Sequence, residues 1–228
     1  MRLQLFVFLW WGVLLGNAQQ VFEKGKVIDS ISVFENSSET FALYLPTSFD
    51  ASKPSSIVFI FEPAARGKVG ITPFIEASEA YSHILICSNN NRNGPYAGNF
   101  DIANRLFEFV FSNFKVHENQ VFLAGFSGGA RLASTIAVMT NQIAGVIGCG
   151  AGFSENQSQM PSIQQFSYVG ICGNRDMNYT EMLTVKKYLQ QLNFNHTLIT
   201  YDGNHSWPPS KEILKAFDWL AIQSHKKK

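Results

Sequence analysis

Val121-Phe122-Leu123-Ala124-Gly125-Phe126-Ser127-Gly128-Gly129-Ala130-Arg131 decides how the rest of the chain is read. An apolar run leads into Gly-x-Ser-x-Gly, and a helical stretch follows to about Met139. A serine on a sharp strand-to-helix turn needs small neighbours, because its own backbone is strained and the flanking chain packs closely against it. Gly125, Gly128 and Gly129 meet that need, which makes Ser127 a candidate nucleophile. The plainer reading is a serine that only caps the helix, since Ser is a favoured N-cap residue.

Outward from this stretch the chain alternates two patterns. Ile57-Val58-Phe59-Ile60-Phe61 is a continuous apolar run, as expected of a strand covered on both faces, and Ile84 to Cys87 and Val146 to Cys149 share it. Tyr168 to Cys172 and Thr197 to Tyr201 complete the set. Between the runs, Ile102, Leu106, Phe107, Val110 and Phe111 recur at helical spacing, as do Met182, Val185, Leu189 and Leu192. Ile213 to Ala221 follows Pro208-Pro209-Ser210, a fair helix start. Strands alternating with helices predict an α/β fold, a mostly parallel sheet with helices on both faces. Val27 to Val33 and Thr40 to Tyr44, on either side of Asn36-Ser37-Ser38-Glu39, predict an antiparallel hairpin at the N-terminal edge.

Composition bounds the function. With 228 residues, 46% of them hydrophobic and 15% charged, the chain is too apolar for disorder and fits one domain, expected over residues 19–228. A formal net charge of +1, with basic residues clustered only at Lys226 to Lys228, argues against a nucleic-acid partner. Residues 1–18 read as a signal peptide: Met1-Arg2, an apolar run from Leu3 to Leu15, then Gly16-Asn17-Ala18 before a cut at Gln19. A run of about 13 residues is short of the roughly 20 that span a bilayer, so a secreted or periplasmic protein without a membrane span is expected after cleavage. Cys87, Cys149 and Cys172 are odd in number and lie in apolar runs, which predicts buried free thiols; a Cys149 to Cys172 bridge is the alternative. Sequons at Asn36, Asn156, Asn178, Asn195 and Asn204 matter only in a eukaryotic secretory route.

A nucleophilic serine needs a base to accept its proton and an acid to fix the tautomer of that base. Among five histidines, His205 alone follows a late apolar strand and precedes the final helix, in Asp202-Gly203-Asn204-His205-Ser206-Trp207-Pro208-Pro209. That loop belongs to the same carboxyl edge of the sheet as Ser127. Asp176, in Gly173-Asn174-Arg175-Asp176 after the strand Tyr168 to Cys172, is the candidate acid. Asp202 is its rival, too near His205 in sequence for a long-range orienting bond, and an Arg175 ion pair is the plain reading of Asp176.

The chain order Ser127, Asp176, His205 is that of the α/β-hydrolase arrangement. From Phe41 to Leu220 the sequence resembles that superfamily, and within it the compact secreted esterases of the dienelactone hydrolase and polyhydroxybutyrate-depolymerase-like (feruloyl-esterase-like) group. The likeness is carried by Leu43-Tyr44-Leu45-Pro46, Gly125-Phe126-Ser127-Gly128-Gly129, Gly173-Asn174-Arg175-Asp176 and Gly203-Asn204-His205-Ser206-Trp207-Pro208. The resemblance implies an α/β-hydrolase fold without a large cap domain, no metal or organic cofactor, and a small-molecule or polymer-borne ester as substrate. It also implies an oxyanion hole made by the backbone N–H groups of Ala64 and Gly128, with Ala65 as the alternative to Ala64. The His-Gly step usual in the family is replaced here by Phe61-Glu62-Pro63-Ala64-Ala65-Arg66-Gly67, and Pro63 has no N–H to give.

Phe126, Trp207, Tyr96 and the Asn-rich loop Ser88 to Asn99 are the expected walls of the site, each aromatic having an ordinary core reading beside it. The expectation is a secreted serine esterase. Two alternatives stand: a serine peptidase resembling the prolyl-oligopeptidase catalytic domain, and an inert binding protein on a hydrolase scaffold, the latter supported by the altered Glu62-Pro63-Ala64 segment alone.

Overall fold

The continuous apolar runs become the middle of one sheet, because a strand apolar at every position needs a covering layer on each side. The computed structural model describes residues 22–35, 37–154 and 156–226; the expected leader, residues 1–18, lies outside the described residues. The strands are β1 (Val27–Ser32), β2 (Thr40–Tyr44), β3 (Ser55–Phe61), β4 (His83–Ser88), β5 (Val116–Phe126), β6 (Gly145–Cys149), β7 (Ser167–Gly173) and β8 (His196–Tyr201). The helices are α1 (Gly67–Ile71), α2 (Ile75–Tyr81), α3 (Tyr96–Asn113), α4 (Gly128–Thr140), α5 (Tyr179–Gln191) and α6 (Ser210–Lys226). The sheet runs β1-β2-β4-β3-β5-β6-β7-β8, parallel from β4 to β8 with β1 and β2 antiparallel at the edge. Among the described residues there is no large cap.

Alternation along β3 shows how the two cores divide. Ile57, Phe59 and Phe61 face a layer containing Leu106 and Val110 of α3, Leu132 and Ile136 of α4, and Val185 and Leu189 of α5. Val58 and Ile60 face the other layer, with Ile71, Phe74, Ala77 and the α6 residues Ile213, Ala216 and Phe217. Phe59 is fully buried and sits edge-on to Phe107, their centroids 4.4 Å apart, so truncation to alanine would cost about 3–5 kcal/mol.

Three local features depart from the sequence reading. Residues 67–81, where no periodicity marks a helix, fold as α1 and α2 joined by a 3-10 turn at Thr72–Phe74 that contains Pro73. Pieces of 5 and 7 residues are too short to display a 3.6-residue repeat. α3 begins at Tyr96, ahead of its first periodic apolar residue, and β5 begins at Val116 with an exposed stretch from His117 to Gln120.

The three cysteines are buried and free. Cys149 pairs in register with Ile171, so the alternating pleat sends Cys172 to the opposite face of the sheet, and no disulfide can join them. Burial pushes the Cys149 thiol above its ordinary range and the Cys172 thiol up to about 12.

Parallel strands end on one edge, and every loop of the predicted site leaves from that edge. The chain passes from β3 to β4 on one side, then crosses back to β5 on the other side of β3. That reversal opens the crevice in which doubly wound sheets hold ligands, between the loops that follow β3, β4 and β5.

Candidate active site

Ser127 sits between β5 and α4 with φ 52° and ψ −120°, a strained turn that lifts its side chain off the sheet edge. Its N–H donates to the Cys149 carbonyl at 2.8 Å, and its carbonyl accepts from Ala130 at 3.0 Å, which locks the corner between two strands and the helix. The small neighbours are required on both sides. A Cβ on Gly125 would strike the Gly129 backbone, and one on Gly129 would strike the carbonyl of Phe61. Ser127 makes no side-chain cap bond to α4, so its hydroxyl is not spent as an N-cap.

The structure brings Ser127, His205 and Asp176 together. His205 Nε2 lies 3.0 Å from Ser127 Oγ, and His205 Nδ1 lies 2.8 and 2.9 Å from the two Asp176 carboxylate oxygens. A carboxylate accepts only, so Nδ1 carries the proton and Nε2 is left to accept from the serine hydroxyl. Asp176 is itself held: its side chain is 1% exposed and its Oδ1 accepts the Asn178 N–H at 2.8 Å. Arg175 pairs with Asp202 rather than with Asp176, which accounts for both the rival acid and the alternative ion pair.

Several supports had no sequence signal. Gly150, at φ +63°, passes beneath the imidazole, where a Cβ would come within 2.9 Å of Phe126, 3.1 Å of Asp176 Oδ2 and 3.3 Å of His205 Cε1. Asn178 donates from Nδ2 to the Gly150 carbonyl at 2.8 Å, tying the acid's loop to the loop after β6. Arg131, on α4, pairs with Glu181 of α5, whose Oε1 also accepts the Gly152 N–H at 3.1 Å. These contacts depend on which loops meet in space, and spacing along the chain carries no record of that.

Beside Ser127 is a cavity of about 240 Å³ lined by Gly128, Leu132, Tyr96, Arg92, Asn93 and Pro63 among others. A larger hollow of about 1270 Å³ lies near Ser56 and Gln120, at the other end of the sheet from Ser127. Of the three aromatic residues expected as walls, Tyr96 lines the smaller cavity. Phe126 and Trp207 instead back the His205 ring: the Phe126 ring lies 4.7 Å from the imidazole and 5.3 Å from Trp207. Phe126 is buried because it is the last residue of β5, on the face covered by α6.

The expected oxyanion donors fare differently. Gly128 is the first residue of α4, a position whose N–H has no partner within the helix. The N–H of Ala64, however, donates to Glu62 Oε2 at 2.7 Å, and Ala64 does not line the cavity. Ala65, the alternative, donates to the Glu62 carbonyl at 3.1 Å. The expectation at both positions is corrected, and the cause is Glu62, whose buried carboxylate collects the amides of its own loop. It also takes the Arg66 N–H and, at 3.2 Å, Arg66 Nε.

The comparisons with known proteins agree with this architecture. Residues 98–223, more than half of the chain, match the family model described as phospholipase/carboxylesterase. No curated protein matches the sequence. Among solved structures, an S-formylglutathione hydrolase from Staphylococcus aureus is 17% identical, with TM-score 0.66 over 88% of this chain and 99% of that one. A fluorophosphonate-binding serine hydrolase of the same species is 15% identical, with TM-score 0.71 over 87% and 99%. A ferulic acid esterase from Anaeromyces mucronatus is 18% identical, with TM-score 0.60 over 87% and 92%. At such identities the structures establish the fold, whereas the family match establishes membership. The chain belongs to the phospholipase/carboxylesterase family of α/β-hydrolases and is a carboxylic ester hydrolase.

Proposed function

We propose that the protein is an exported serine esterase in which Ser127 is the nucleophile, His205 the general base and acid, and Asp176 the residue that orients His205. The observation that carries this reading is the unbroken line of contacts from Asp176 through His205 to Ser127 Oγ at 3.0 Å, on a strained strand-to-helix turn. In the first half-reaction Ser127 Oγ bonds to the ester carbonyl carbon while its proton passes to His205 Nε2. Collapse of the tetrahedral intermediate expels the alcohol, which takes that proton, and leaves an acyl-serine. Water then repeats the sequence on the acyl-enzyme, releasing the acid and restoring the Ser127 hydroxyl. Gly128 N–H supports the charge on the carbonyl oxygen in both halves.

The site is uncapped and its cavity small, about 240 Å³, which suits small esters or ester groups that project from a polymer. Export rests on residues 1–18, whose charge, apolar run and small-residue ending have the form of a signal peptide. Among the described residues no helix is long and apolar enough to cross a membrane.

Ser127→Ala tests the chemistry. Hydrolysis of a short-chain p-nitrophenyl ester should be lost, together with covalent labelling by a fluorophosphonate probe. Turnover surviving unchanged would overturn the assignment, and a wild-type protein that neither labels nor hydrolyses would favour the inert scaffold.

A further inference from the structure

From Pro63 to Gly67 the loop after β3 has no amide left to offer an oxyanion. Pro63 has no N–H, Ala64 and Arg66 donate to Glu62 Oε2, Ala65 donates to the Glu62 carbonyl, and Gly67 donates to Asn89 Oδ1 at 2.8 Å. A tetrahedral intermediate held by the Gly128 N–H alone would lack the second donor that such sites use. The other groups around the carbonyl must therefore supply it.

Asn93 is placed to do so. Its side chain lies directly against Gly128, the residue after the nucleophile: a Cβ on Gly128 would collide with Asn93 Oδ1 and come 3.4 Å from Nδ2. Both residues line the cavity beside Ser127. The Asn93 carboxamide makes no hydrogen bond to another described residue, whereas its backbone is fixed, the N–H donating to the Pro63 carbonyl at 2.9 Å.

The loop carrying it is also preorganised. Asn99 Oδ1 accepts the Arg92 N–H, and Asn99 Nδ2 donates to the carbonyls of Arg92 and Pro95, each at 3.0 Å. Buried Asn91 anchors the same loop by donating to the Asn99 carbonyl at 2.8 Å. A half-turn about the terminal side-chain torsion exchanges the carboxamide's oxygen and nitrogen ends, so Nδ2–H can face the cavity.

We infer that the Asn93 carboxamide is the second oxyanion donor, acting with the Gly128 N–H in place of the amide that Glu62 has taken from Ala64. The inference rests on the esterase reading of Ser127 given above. As Ser127 Oγ bonds to the carbonyl carbon, the carbonyl π pair moves onto oxygen, and Asn93 Nδ2–H and Gly128 N–H donate to that oxygen until the pair returns to expel the alcohol. A neutral donor of this kind meets the charge where it develops and leaves the ground-state ester little changed.

The test compares Asn93→Ala and Asn93→Asp with wild type on a p-nitrophenyl ester. Asp keeps the shape but, ionised, only accepts. Both variants should lower kcat by about 10²–10³-fold, the loss typical for removal of one such donor, while KM stays within about threefold. Affinity for a boronic acid that forms a tetrahedral serine adduct should weaken in parallel, and thermal unfolding should be unchanged, since the carboxamide bonds to no described residue. A kcat within about threefold of wild type in both variants, with Ser127→Ala inactive, would overturn the role of Asn93 and leave the esterase reading intact. Activity in Ser127→Ala would overturn both.

Discussion

Ser127 is held at φ 52° and ψ −120°, the first corner of a type II′ turn, which a residue bearing a Cβ occupies under strain and glycine enters freely. A non-glycine residue in such a region costs about 1–3 kcal/mol. Ser127→Gly and Ser127→Ala both remove the hydroxyl and its contact with His205 Nε2, so that loss cancels when the two are compared. What remains is the strain that alanine retains, offset by the greater conformational freedom of an unfolded glycine, about 0.4–1 kcal/mol. Ser127→Gly should therefore be more stable than Ser127→Ala by about 1 kcal/mol, or roughly 2–4 °C in Tm for a domain of this size. Calorimetry of the two inactive proteins, at a neutral pH and in one buffer, measures the difference directly. An alanine variant as stable as the glycine variant, or more so, would refute the claim that the nucleophile's backbone is strained.

Two further outcomes follow from the acid and from the second core. Asp176→Asn should lower kcat by about 10⁴-fold with the fold retained, because an amide facing Nδ1 can donate and so favours the tautomer that protonates Nε2; a loss under about tenfold, with circular dichroism unchanged, would remove Asp176 from the relay. His83 is buried against Tyr81, Phe122 and Phe217, its Nδ1 has no partner among the described residues, and burial pushes its imidazole down to about 4 from an ordinary 6.5. Between those values the unfolded chain binds a proton that the folded chain does not, so stability falls as pH drops from 6.5 toward 4, by up to ~3 kcal/mol, and the contribution is whole above 6.5. His83→Phe should flatten that slope in urea midpoints measured at pH 7 and pH 4.5, and equal slopes in the two proteins would refute the burial argument.

The parts of the molecule legible in the sequence are those where one physical demand dictates residue type over a continuous stretch. Ile57 to Phe61 had to be a central strand, since nothing in it could face water, and Gly125 to Gly129 had to be a tight corner, since only glycine clears the carbonyl of Phe61. Asp176 and His205 were found by the logic of strand ends: parallel strands put their following loops on one edge, so residues 29 apart in sequence meet at 2.8 Å. Gly150 beneath the imidazole was not legible, because a single glycine after β6 reads as a turn until the ring above it is placed. Phe126 and Trp207 were read as walls but pack behind the His205 imidazole in the core layer covered by α6 and are absent from the lining of the cavity beside Ser127, a placement that depends on how β5 meets the loop before α6 and not on sequence adjacency.

The misreading of Ala64 has a different origin, and it constrains how the site can work. A family pattern assigns the donor by position, but the position is governed here by the charge of Glu62. That side chain is fully buried while the Arg66 side chain remains 58% exposed, so the pair is desolvated on the acid's side only. A buried carboxylate is tolerable when its lone pairs are filled, and Glu62 fills them with the N–H groups of Ala64 and Arg66 as well as the guanidinium. Turning the Ala64 N–H toward a substrate would break one of those bonds and strand part of a charge in the core, a loss of about 1.5–3 kcal/mol for a hydrogen bond to a charged group. That is comparable to the roughly 3 kcal/mol that one oxyanion donor contributes, so the rearrangement would return almost nothing to catalysis. The same carboxylate that occupies the amides of the β3 loop therefore takes Ala64 out of reach of an oxyanion, which is why the proposed donors are groups beside Ser127, the Gly128 N–H and the loop after β4.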